Sequence, residues 1–117
     1  MDVKAEQMSG KLNISEAVIG KIAQLVVNDV EGVYSMAPSP SRMRDVVLRS
    51  ERNKPILTKM NAGVAEMDIY VVVRQGYKIK EVAEEIQEYV KEAVQNMTAI
   101  TVSKVNVYVQ DVKATVE

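Results

Sequence analysis

The side chains that could do chemistry are the acids of one segment and the arginines of another. Glu81, Glu84, Glu85, Glu88 and Glu92 recur at spacings of three, four and seven, so on a helix some become neighbours. Paired carboxylates of that kind can hold a hard metal ion or move a proton. They are also what the solvated side of a surface helix looks like, and the nearby Lys80 and Lys91 favour that reading. Arg42, Arg44, Arg49 and Arg52 form a second cluster, a candidate basic patch able to grip phosphates of lipid head groups or nucleic acid. A solvated loop that keeps the protein soluble is the competing reading.

Other catalytic devices are excluded by composition. There is no histidine and no cysteine, which removes the commonest general base, the Ser–His and Cys–His pairs, thiolate ligands and disulfides. Ser103-Lys104 would place its two side chains on opposite faces of a strand. The five glycines, at 10, 20, 32, 63 and 76, make neither a dinucleotide fingerprint nor a P-loop. No catalytic residue, metal site or cofactor is therefore expected. The seven methionines read as core and loop filler.

The element that carries the acids is the longest periodic stretch, Tyr77 to Met97. Ile79, Val82, Ala83, Ile86, Val90, Ala93, Val94 and Met97 make one apolar stripe along a helix, opposite the charges. From Ile79 to Met97 it would span roughly 28 Å and needs a surface to lie on. Strands on either side supply one. Ahead of it, Ala65, Met67, Ile69, Val71 and Val73 alternate with Glu66, Asp68, Tyr70, Val72 and Arg74. After it, Val105, Val107 and Val109 alternate with Asn106, Tyr108 and Gln110.

Earlier in the chain, Ser15 is placed to cap a helix carrying Val18, Ile19, Ile22, Ala23, Leu25, Val26 and Val30, with Glu16 in its first turn. That helix should end near Asn28–Glu31, where Gly32 turns the chain. Lys11–Ile14 reads as a short edge strand and Gly32–Met36 as another, broken by Pro38 and Pro40. Arg42–Arg49 reads as a helical turn or a loop. Ile56–Met60 and Val64 onward form a hairpin whose turn, Asn61-Ala62-Gly63, suits Asn and Gly at positive φ. The expected fold is α+β: a two-layer domain with two helices on one face of a mostly antiparallel or mixed sheet, in β-α-β-β-α-β order. Residues 1–9 and 113–117 should be flexible tails around a single domain at 10–112.

At 117 residues, 47% hydrophobic and 26% charged, the chain is one soluble domain with an aliphatic core, since Phe and Trp are also missing. Its longest apolar run, Ile69–Val73 with Tyr70 inside it, is far short of a membrane span, and no secretory signal opens the chain. A cytoplasmic location is expected. The net charge of −1 argues against nucleic acid as the main partner, although residues 41–60 carry +4 and residues 80–92 carry −3. The outer sheet face would show Tyr70, Val72 and Tyr108 among polar groups, a candidate interaction surface.

The ordered series of motifs resembles the alkaline shock protein family of Gram-positive bacteria, which act in the cell-envelope stress response. The matching residues are Gly10–Ser15 leading into Val18-Ile19 and Ile22-Ala23, then Val30–Tyr34, Ala65–Val73 and Gly76. Ile79–Ala83 through Val90, Met97-Thr98 and Val105–Val109 complete the series. It departs from the family pattern between Ala37 and Lys54, where relatives usually carry a glycine-rich turn and less arginine. The resemblance implies a non-catalytic protein of envelope stress response or homeostasis. It also implies self-association into a homo-oligomer and contact with a small membrane-anchor protein, without direct membrane insertion. The alternative is a nucleic-acid-binding module using the basic 41–60 segment, although the G-x-x-G loop of KH domains is missing.

Overall fold

The structure is a computed structural model that describes residues 10, 12–39 and 54–114. Helix α1 spans Glu16–Val27, β1 Val33–Met36, β2 Ile56–Asn61, β3 Val64–Arg74, α2 Ile79–Thr98 and β4 Thr101–Lys113. Ser15 caps α1 as its position suggests: its backbone is extended and its Oγ accepts the Val18 N–H at 3.2 Å. Glu16 does more than meet the helix dipole. Its Oε2 accepts the Met60 N–H of β2 at 2.9 Å, tying the start of the helix to a sheet edge.

Among the described residues the sheet has four strands and is mixed. β3 is its spine. β2 pairs antiparallel along Val64–Ile69 and β1 antiparallel along Val71–Val73, so the two share one edge of β3 end to end. The Tyr70 backbone bridges them, its N–H donating to the Pro55 carbonyl and its carbonyl accepting from the Ala37 N–H, each at 2.9 Å. On the other edge β4 runs parallel to β3 along its whole length, from Val64↔Thr101 to Arg74↔Lys113. A parallel neighbour needs a crossover, and α2 is that crossover.

Among the described residues, both helices lie on one face, as expected. Val82, Ile86, Val90 and Val94 of α2 and Ile19, Ile22, Ala23 and Val27 of α1 are buried in a single cluster with Ala65, Met67, Ile69, Val71 and Val73 of β3. Burying a side chain of this size contributes about 1.5–3 kcal/mol, so the cluster is what holds helices rich in β-branched residues. Gly32 lets α2 close on the end of α1. Its φ is +97°, and a Cβ there would stand 2.7 Å from Val82 Cγ2.

Four expectations change in detail. Leu12–Ser15 form no strand, so the described order begins with α1; Lys11 lies outside the described residues. Val18 and Leu25 belong to the apolar pattern of α1 yet are exposed, because the helix rests on the sheet along a narrower stripe than its composition offers. Ile79 and Met97 are exposed as well, since the two ends of α2 run beyond the core. In the hairpin, Asn61 ends β2, and Ala62 joins Gly63 at positive φ, 54° and 79°.

Candidate interaction surface

The face of the sheet away from the helices is built of cross-strand rows. Lys59 of β2, Glu66 of β3 and Lys104 of β4 stand in register, with Lys104 Nζ 3.7 Å from Glu66 Oε2. In the next row Leu57 faces Asp68, whose Oδ1 accepts from Asn106 Nδ2 at 2.9 Å. Then Tyr70 and Tyr108 stack, ring centroids 4.8 Å apart and planes 16° from parallel. At the far end Arg74 lies over the Tyr34 ring, 5.4 Å from its centroid.

The tyrosine pair is the apolar centre of this face. Tyr108 is 42% exposed and Tyr70 half-buried. Burial, then the Asp68 carboxylate, then the Tyr108 phenol push the Tyr70 hydroxyl above its ordinary value. Val72, the third residue expected on this surface, stands in the β3 series but is only 8% exposed and offers a partner little area. The candidate basic patch, Arg42, Arg44, Arg49 and Arg52, lies outside the described residues.

The chemistry of the acids is now placed. Glu81, Glu84, Glu85, Glu88 and Glu92 are all exposed on α2, away from the core. Glu81 forms a loose i,i+3 pair with Lys78 at 3.9 Å. Among the described residues no group of three or more acidic side chains is placed to hold a metal ion. An open depression lined by Lys59, Asn61, Val64, Glu66 and Ser103 lies at the hairpin end, where the two charged side chains simply face each other across strands.

Sequence reasoning missed the polar partners of the tyrosines and the side chains that cover the sheet edges. The first carried a signal: Glu66, Asp68, Tyr70 and Lys104, Asn106, Tyr108 are matching series at every second residue, as a parallel pair in register requires. The second carried none. Gln95 Oε1 accepts the Val102 N–H at 3.2 Å and Gln87 Nε2 donates to the Val105 carbonyl at 3.1 Å, and neither glutamine announces this by its position.

Comparison with known proteins decides the family. Residues 4–114 match the family of alkaline shock proteins, described as having a cell envelope-related function. The chain belongs to the alkaline shock protein family. The uncharacterized protein YloU of Bacillus subtilis (strain 168) is 31% identical over 98% of this chain and 98% of its own. The uncharacterized protein Spy1614 of Streptococcus pyogenes serotype M6 is 34% identical over 97% of this chain and 96% of its own. Both relatives are Gram-positive, and the resemblance read from the sequence is thereby shown. Among solved structures, MamM-CTD H285A superposes with a TM-score of 0.50 at 14% identity, covering 87% of this chain and 100% of that one; the likeness is one of fold. The family description names a cellular setting and no reaction. No helix among the described residues is long and apolar enough to cross a membrane.

Proposed function

We propose that this member of the alkaline shock protein family is a non-catalytic cytoplasmic assembly module of the cell-envelope stress response. It associates with itself and docks on a small membrane-anchored partner. The observation that carries the reading is the Tyr70–Tyr108 stack, an uncovered aromatic centre on a sheet face whose neighbouring rows carry charged and amide side chains. Tyrosine supplies large rigid contact area at low entropic cost, and a surrounding polar rim is what a reversible interface presents. The acids of α2 are exposed on the layer away from this stack.

The test is affinity capture of the tagged protein from its own cells, with membrane and soluble fractions kept apart, beside a Tyr70→Lys/Tyr108→Lys double variant. The native chain should bring down a small membrane protein that detergent releases. The variant should lose both that protein and its own self-association in light scattering while keeping its circular dichroism. Recovery of RNA-bound material that nuclease removes would instead favour the basic 41–60 segment as the working surface.

A further inference from the structure

β4 closes one side of the sheet, and a strand in that position presents backbone N–H and C=O groups without a ladder partner. Which groups face outward follows from those already taken. The Val102 N–H and the Val105 carbonyl are held by Gln95 and Gln87, so both turn away from β3. Strand alternation then turns the backbone groups of Val107 and Val109 outward and those of Tyr108 toward β3. Beyond the register shift at Gln110, the Lys113 carbonyl faces inward, accepting the Gln75 N–H at 2.8 Å. Val112 N–H faces outward and is taken by Asp111 Oδ1 at 2.8 Å. Among the described residues, the edge is thus capped by side chains at both ends and open between them, at Val107 and Val109.

We propose that two copies of the chain join along this open stretch, β4 against β4 and antiparallel, about a two-fold axis at Tyr108. This deepens the self-association reading and rests on it. In an antiparallel pair outward residues exchange bonds with outward residues, so Val107 of each copy pairs with Val109 of the other. Tyr108 then faces its own counterpart at a non-hydrogen-bonded position, with Cα atoms about 4.5 Å apart.

Three features favour a second copy as the occupant. The caps stand on either side of Tyr108, and a contact made by one surface with itself needs an open window centred on its axis. The ring of Tyr108 is half-exposed and already stacked on Tyr70, so pairing extends one row of tyrosines over both sheets. Lys104 and Asp111 lie at opposite ends of the window on the outer face, and the two-fold brings the Asp111 end of one copy to the Lys104 end of the other. A parallel arrangement would set like against like. The helix face of the joined edge gains too, because Val107 and Val109 are only half-buried in the single chain.

The experiment is sedimentation over a range of concentrations for the full chain and three variants. Val109→Pro removes an N–H that faces away from β3, a substitution an edge strand tolerates. It deletes two of the four interchain hydrogen bonds and should weaken association roughly thirtyfold. Tyr108→Lys and Tyr108→Glu should each be monomeric alone and associate again when mixed, because only a residue that faces itself gives that pattern. Amide exchange on the native protein supplies an independent readout: Val107 and Val109 should gain protection as concentration rises. If the native chain associates while those amides exchange freely, or Val109→Pro associates as well as native, self-association stands and this edge is wrong. Protection that appears only with another protein added would also overturn the proposal, giving the edge to a different occupant. A native chain that is monomeric throughout overturns both readings.

Discussion

At the scale of single residues, the outer face is tuned by what stands beside each tyrosine. The Tyr70 phenol is raised above its ordinary value of 10.0 by burial first, then by Asp68 and Tyr108. A phenol that holds its proton more tightly when folded contributes stability that is whole below the unfolded value. That contribution is lost as pH rises from about 10 through the folded value, because the unfolded chain releases the proton first. Tyr70→Phe should therefore flatten part of the alkaline fall in stability, measured by urea unfolding at a series of pH values. The backbone offers a second test. Ala62 and Ala99 sit at φ of 54° and 64°, in the left-handed region that costs an alanine roughly 1–2 kcal/mol. Glycine avoids that strain and gives back part of the gain as unfolded-state entropy. Ala62→Gly and Ala99→Gly should each raise stability by about 0.5–1 kcal/mol, visible as a higher denaturation midpoint with an unchanged slope.

At the scale of elements, local pattern and long-range pairing separate cleanly. The stripe of α2, the alternation of β3, the Ser15 cap and the turn at Gly32 were legible because each is written in neighbouring residues and enforced by burial. The parallel union of β3 and β4 was not, since period two describes a strand without naming its neighbour. The exposure of Val18 and Leu25 was hidden for the same reason: a helix can offer more apolar surface than the sheet accepts. Of the candidate surface, Tyr70 and Tyr108 could be placed from alternation alone, whereas their stacking needed the register. Gly32 tests the join between elements. Adding a methyl there combines left-handed strain with a clash against Val82 Cγ2, on the α2 face that packs the core. Gly32→Ala should cost about 2–4 kcal/mol in chemical denaturation. A value within about 0.5 kcal/mol of native, the usual range for surface substitutions, would mean that α2 can move off without penalty.

At the scale of the whole molecule, the packed core and the proposed interaction surface belong to different faces of the sheet. α2 turns its valines to the sheet and its carboxylates to water, while the opposite layer carries the stacked tyrosines beside a Lys104–Glu66 ion pair and an Asn106–Asp68 hydrogen bond. The acidic surface and the aromatic surface are consequently on opposite sides of the molecule, with the core between them. Carboxylates so placed are solvated, and loose helix pairs of this kind are worth a few tenths of a kcal/mol at most. Replacing Glu84, Glu85 and Glu88 together by glutamine should therefore shift stability by less than about 0.5 kcal/mol and leave self-association unchanged in sedimentation. Native mass spectrometry with divalent cations should give the same pattern of retained ions for the triple variant and the native chain. Loss of a retained metal, or loss of assembly, would move the working surface from the sheet to α2. The same experiment asks whether the charge gradient itself orients the molecule. Partner capture that survives the triple substitution but fails with Tyr108→Lys would confine recognition to the sheet side, because only that side would then have changed in a way the partner can feel.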